Sequence, residues 1–274
     1  MMLRYVAASV MVLSCALTVG DGAAAAQARR NAQTPAAVPE HEDGKFCKFY
    51  GVADPKMVVL MIDRTLPVTN GADREDAQAA MSLALELVGP GQRLRIVTIR
   101  EDIGSSKKLF DDCRPGHPAG IASYFISPPN PDDLRVDQPA FISAVKAAVA
   151  AGVDGRLPQS PQSAIISTIA AVGRQFQGRL VGLILASDMI EGRLADLAPT
   201  PDSRLDNRTR NGLLERAAEL GQIPRLDKVR VESFKVNQWD RKARPILSDD
   251  TAKDLRDFWD DYFRLAGAGP VKIN

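Results

Sequence analysis

Two stretches of this sequence are almost continuously apolar. The first is followed directly by an aspartate, and the second by a serine and an aspartate. Residues 57–62 lead into Asp63, and residues 179–186 lead into Ser187 and Asp188. A strand that is apolar along its whole length must be covered on both faces, as strands of a parallel sheet are. The two runs therefore predict central strands of an α/β domain, each with an aspartate near its end.

Helical and strand-like patterns alternate around these two runs. Helical periodicity or capping signals mark residues 72–88, 141–151, a helix that opens at Ser160-Pro161, 211–220 and 249–265. Further strands are predicted at 94–99, 108–110, 229–236 and 271–273, and loops at 114–139 and 192–209. This order predicts an α/β fold: a doubly wound, mostly parallel open sheet of Rossmann-like type, flanked by helices on both faces.

The first residues have the order of a secretory signal: a basic Arg4, an apolar run, and small residues in 23–28. We therefore predict a signal peptide over 1–28, a disordered linker over 29–46 and one α/β domain over 47–274. The mature protein is then periplasmic or secreted and carries no stable membrane insertion. Two alternatives stay open, a lipoprotein anchored through Cys15 and an uncleaved membrane anchor.

Two cysteines, Cys47 and Cys113, lie outside the predicted signal. An even pair in an exported chain predicts one disulfide. Neither cysteine has a second Cys or a His at the spacing of a zinc site, so a metal-thiolate centre is not expected. The alternative is a pair of separate buried thiols.

Charge and motifs exclude several classes of function. The chain has 35 Lys+Arg against 34 Asp+Glu, so it lacks the basic excess with which proteins neutralise nucleic-acid phosphates. It contains no G-x-S-x-G, P-loop or G-x-G-x-x-G segment, and its two histidines are His41 in the linker and His117 in a predicted loop. We therefore expect neither a nucleic-acid-binding protein nor an enzyme.

The candidate site is formed by the acids that follow the two apolar strands. In an open α/β sheet, ligands bind beyond the carboxyl ends of the strands, where Asp63 and Asp188 are expected to meet. Thr65 lies two residues after Asp63, and the loop before the third helix adds Ser160 and Ser163. Such oxygen atoms suit a hard divalent cation, so Asp63, Thr65, Ser160 and Asp188 are the predicted ligands of Mg²⁺ or a similar ion.

Each of these residues also has a purely structural interpretation. Asp63 and Asp188 could order the turns that follow their strands, and Thr65 could bond to its own backbone. Ser160 could cap the third helix. Arg64 could pair with Asp63 and cancel the charge of the site.

These segments resemble the von Willebrand factor A (vWA) family. Members of that family carry D-x-S-x-S after the first strand, a Thr in a later loop, and T-D-G or S-D-G after a later apolar strand. Here D-R-T-L-P occupies the first position and S-D-M the last, while Ser160 or Ser163 stands where the Thr belongs. Pro67 replaces the second hydroxyl and Met189 the glycine, so the chain is most similar to divergent exported bacterial members.

The resemblance implies a degenerate metal-ion-dependent adhesion site, in which Mg²⁺ is completed by an acidic group of a partner. It implies an exported binding or scaffold module that engages a protein partner at the carboxyl edge of the sheet. Two other functions stay open: a metal-assisted hydrolase or phosphatase that uses the same acids, and an inert structural component of an envelope, secretion or conjugation apparatus.

Overall fold

Within the residues that the structure describes, six strands form one sheet in which only an edge strand runs antiparallel to its neighbour. The structure is a computed structural model that describes residues 42–64, 71–116, 131–154, 162–192, 205–234 and 247–274. These residues all belong to one unit, Val38–Asn274. The predicted signal peptide, most of the predicted linker, Thr65 and Ser160 lie outside the described residues.

The order of the strands confirms the predicted fold class. They are β1 (Met57–Asp63), β2 (Arg93–Ile99), β3 (Lys108–Cys113), β4 (Leu180–Ala186), β5 (Arg230–Phe234) and β6 (Val271–Ile273). Their order across the sheet is β3-β2-β1-β4-β5-β6, a doubly wound order that reverses between β1 and β4. An antiparallel edge strand on an otherwise parallel sheet is common in such folds.

Helices cover both faces of the sheet. They are α1 (Cys47–Tyr50), α2 (Gly71–Leu87), α3 (Pro131–Val153), α4 (Ile165–Gln175), α5 (Asn207–Glu219) and α6 (Asp249–Leu265). Along β1, Val58 and Leu60 pack in the core formed with α2 and α3, whereas Val59 and Met61 pack in the core formed with α4 and α6. The double burial of β1 explains why its sequence is apolar from Met57 to Ile62. None of the described helices is both long and apolar enough to cross a membrane.

Three helices begin elsewhere than predicted. The predicted end of the loop 114–139 is wrong, because α3 begins at Pro131, with Asp132 and Asp133 in its first turn. Pro in the first turn and acids near a helix N-terminus are favourable, so the signal was present in the sequence. Likewise, α5 begins at Asn207, where the Asp206 side chain accepts the Thr209 N–H. The third predicted helix, α4, begins at Ile165 rather than at Ser160-Pro161.

The predicted disulfide between Cys47 and Cys113 is confirmed, with 66 residues separating the two cysteines. It joins α1 to the edge strand β3. The Asp112 carboxylate strengthens the same junction by accepting the backbone N–H groups of Phe46 and Cys47 at 3.0 and 2.9 Å. Phe46, the last residue of the predicted linker, is buried against Phe141 of α3. The packed part of the domain therefore includes residues just before Cys47.

Replacing both Cys47 and Cys113 with serine should lower the free energy of unfolding by about 4 kcal/mol, because a long loop then regains its freedom in the unfolded chain. Urea unfolding of the oxidised protein and of the double variant measures the difference. Reductant should lower the wild-type midpoint and leave that of the double variant unchanged. Equal midpoints for the oxidised protein and the double variant would contradict the stabilising role.

Candidate functional site at the carboxyl edge of the sheet

The ends of β1 and β4 lie side by side at the point where the strand order reverses. The two strands are parallel neighbours, and Ile62 pairs with Ala186. Asp63 and Ser187 follow these partners, so Asp63 and Asp188 lie at the same edge of the sheet, as the sequence predicted. This crevice is the usual ligand-binding position of a doubly wound fold.

Two serine hydroxyls hold the carboxylate of Asp63. Ser187 Oγ donates to Asp63 Oδ2 at 2.7 Å, and Ser163 Oγ lies 3.0 and 2.9 Å from the two carboxylate oxygens. The two serines are buried, while Asp63 is half-buried. Ser163 arrives from the segment before α4, 100 residues from Asp63 in sequence, and Ser187 arrives from the end of β4. Three separate segments thus converge on one carboxylate.

The loop after β4 is held by hydrogen bonds on both sides. Ser187 Oγ accepts the N–H of Met189 at 3.0 Å, and Trp259 Nε1 donates to the carbonyl of Met189 at 2.7 Å. Met189 has a φ of 62°, in the left-handed region that favours glycine. The vWA-like pattern has a glycine at this position, and here the two hydrogen bonds hold a methionine in the same region.

The side chain of Asp188 contributes to the turn that follows it. Its Oδ1 accepts the N–H of Ile190 at 3.1 Å, and the residue is almost fully buried. This contact matches the structural interpretation of Asp188, in which the carboxylate orders the next turn. The contact satisfies the Ile190 N–H, and a role of Asp188 as a ligand stays a prediction.

Glu191, which no sequence pattern indicated, caps the helix that follows Ser163. Its Oε2 accepts the N–H of Ile166 in the first turn of α4 at 2.7 Å, and only 1% of the residue is exposed. A carboxylate at a helix N-terminus satisfies an otherwise unpaired N–H and interacts favourably with the helix dipole. Glu191 therefore performs the capping role that the sequence assigned to Ser160, from a segment 25 residues away from Ile166.

Arg64 connects the site to the end of α3. The residue is buried, and its Nη1 donates to the carbonyl of Gly152 at 2.7 Å, in the last turn of that helix. Burial lowers the pKa of Arg64, and the nearby carboxylates of Asp154 and, to a smaller degree, Asp63 oppose that shift. A cation at a helix C-terminus is favourable, so Arg64 stabilises α3 against β1.

The structure places the predicted site residues in different ways. Asp63 and Asp188 lie at one edge, and their role as metal ligands stays a prediction. Thr65 and Ser160 lie outside the described residues. Ser163, the other serine of that segment, contacts Asp63 directly, and Ser187 supplies a hydroxyl that the predicted ligand set did not include. Both serines were visible in the sequence, but only the strand pairing shows that they share one carboxylate.

A second group of metal-ligating residue types lies at the edge strand β3. Ligand atoms of Cys47, Asp112 and Cys113 come within 4.8 Å of one another, so by distance alone the group could hold a metal ion. The two sulfur atoms are joined in a disulfide, whereas a metal requires thiolates. The Asp112 carboxylate also accepts three backbone N–H groups, those of Phe46, Cys47 and Cys113. The oxidised protein therefore uses this group as a structural junction.

Comparison with known proteins does not assign this chain to a family. No protein-family model matches the chain, and a search of curated proteins finds no significantly similar sequence.

Replacing Gly192 with alanine should disturb the site by steric overlap. A Cβ at this position would lie 2.9 Å from Gln162 Cβ and 3.2 Å from the backbone nitrogen of Ser163, the residue that contacts Asp63. We expect a loss of about 1–3 kcal/mol in the free energy of unfolding, as for overpacked sites. Urea unfolding measures it.

The matched control is Gly212→Ala. This glycine lies within α5, and a Cβ there would meet no atom within 4 Å. Alanine is the better helix former, so the control should gain up to about 1 kcal/mol. If Gly192→Ala were as stable as the wild type, the close contact between the two loops would be unimportant.

Proposed function

We propose that this protein is an exported vWA-like binding module that engages an acidic group of a protein partner at the carboxyl edge of its sheet, through a divalent cation. Asp63, Ser163, Ser187 and Asp188 are the proposed cation-binding residues among those that the structure describes. Thr65 and Ser160 stay predicted ligands. The proposal rests mainly on one observation, the convergence of two buried serine hydroxyls on the carboxylate of Asp63.

The hydrogen-bonding capacity of Ser187 supports a cation at this position. A hydroxyl has one donor and two acceptor lone pairs. Ser187 Oγ donates to Asp63 and accepts from the Met189 N–H, which leaves one lone pair beyond these contacts within the described part of the chain. A cation beside Asp63 could therefore be bound without breaking either hydrogen bond. The site would need little rearrangement to accept it.

The chemical nature of the donors selects the class of ion. Carboxylate and hydroxyl oxygens are hard ligands, which suit Mg²⁺, Mn²⁺ or Ca²⁺ and do not favour soft metals. Pro67 cannot provide the hydroxyl that the vWA-like pattern places there. Ser187 brings another hydroxyl to the same carboxylate, and we propose that it compensates for this loss. An acidic side chain of the partner would complete the coordination.

The disulfide is compatible with an exported protein, because such bonds persist in oxidising compartments. Together with the predicted signal peptide, it supports a periplasmic or secreted location. A second candidate function is an inert structural component, because the polar groups at this edge of the sheet also stabilise the fold. Asp188 orders its own turn and Glu191 caps α4, as they would in an inert structural component.

Calorimetric titration with Mg²⁺ and Mn²⁺ separates the two functions. The wild type should bind one ion, and Asp188→Asn and Ser187→Ala should each weaken binding at least tenfold, which corresponds to about 1.4 kcal/mol. Glu219→Gln is the matched control, because Glu219 forms an exposed ion pair with Arg216 on α5 and should leave binding unchanged.

Capture of the partner from the native envelope extends the test to function. If the proposal holds, a chelator should release the protein captured by the wild type, and the Asp188→Asn variant should fail to capture it. Absence of heat with either ion, together with capture that is insensitive to the chelator, would favour the inert structural component and reject the cation-dependent module.

A further inference from the structure

A cavity of about 710 Å³ lies between α2 and α3, on the face of the sheet opposite to α4 and α6. Its volume falls within the range of small-molecule sites, which are mostly apolar and have a few polar groups that orient the ligand. None of the residues proposed to bind the cation lines it. The cavity is therefore a separate candidate site.

The cavity is a short groove with an apolar floor. The lining residues extend over nine positions, or eight residue steps, from Arg74 to Ser82 on α2 and from Lys146 on α3 to Asp154 directly after that helix. At 1.5 Å per residue, the groove is about 12 Å long. Ala77, Met81 and Val149 form its buried floor. An apolar chain would therefore replace water along most of its length.

Charge is distributed unevenly along the groove. The end of α3 lies beside β1, because Arg64 bonds to Gly152, and α2 starts shortly after β1 ends. Arg74 and Asp154 therefore lie at the same end, where the carboxylate of Asp154 interacts with the buried Arg64. Lys146 lies near the other end, is exposed, and forms no ion pair or side-chain hydrogen bond with any described residue.

A second cavity of about 490 Å³ adjoins the Lys146 end. Lys146 lines both cavities, and Arg135 lines the second. No acidic residue of the described chain lines this second cavity. Arg135 forms an ion pair with Asp132. Lys146 is therefore an exposed cation with no acid among the described residues that line the second cavity, whereas Asp154 lines the opposite end of the groove.

We propose that the groove between α2 and α3 binds an amphipathic monoanion, a single carboxylate on an unbranched apolar chain. The carboxylate contacts Lys146, and the chain lies over Ala77, Met81 and Val149 toward Arg74 and Asp154. One unopposed cation at one end of a short apolar groove is complementary to one anionic head group and one tail.

Titration of the full chain with sodium decanoate, below the concentration at which it forms micelles, tests the proposal. Calorimetry should show saturable binding of one decanoate per chain. Acetate, which has the head group alone, and decyltrimethylammonium, which reverses its charge, should bind at least tenfold more weakly. Lys146→Met should also weaken decanoate binding about tenfold, whereas Lys107→Met, at an exposed position outside both cavities, should not.

Ala150→Phe provides an independent test, because Ala150 lines the groove at an exposed position where a ring would occupy the space of the tail. This variant should lose decanoate binding and keep the wild-type unfolding midpoint. The proposal is overturned if the wild type shows no saturable binding, or if Lys146→Met and Ala150→Phe both bind as the wild type does. Asp188→Asn should bind decanoate normally, so the outcome is independent of the cation site.

Discussion

The parallel pairing of β1 with β4 is the constraint on which the candidate site depends. Ile62 and Ala186 are partners in the register, so the chain leaves both strands at the same height and on the same edge. Asp63 and Ser187 are 124 residues apart in sequence and form a hydrogen bond for this reason. A slip of one residue would turn each side chain to the opposite face and would separate Asp63 from Ser187.

Buried polar contacts between distant segments give this edge its shape. Ser163 and Ser187 hold Asp63, Glu191 caps α4, and Trp259 of α6 holds the loop after β4. In a low-dielectric interior, such contacts are strong when they are complete, and they favour one arrangement of the loops. The same contacts that complete the fold therefore position the oxygen atoms proposed to bind a cation.

Hydrophobic periodicity was sufficient for most of the fold. The bounds of α6 at Asp249–Leu265 agree with the sequence prediction, because its buried Leu255, Trp259 and Phe263 recur at helical spacing. Periodicity was insufficient where a helix begins with polar residues. The first turns of α3 and α5 carry few apolar side chains, so proline, acids and the Asp206 cap marked their starts more reliably than hydrophobicity.

The sequence by itself determined the class of fold and the acid after each central strand, because a strand buried on both faces is recognisable as an apolar run. It also determined the disulfide, because only two cysteines lie outside the predicted signal peptide. Tertiary structure decided which hydroxyls meet Asp63 and which acid caps α4. These choices depend on the strand register and on loops that approach from 25 to 124 residues away, as for Glu191 and Ser187. No local pattern encodes such a meeting, since a serine beside a strand looks the same whether it faces a carboxylate or solvent.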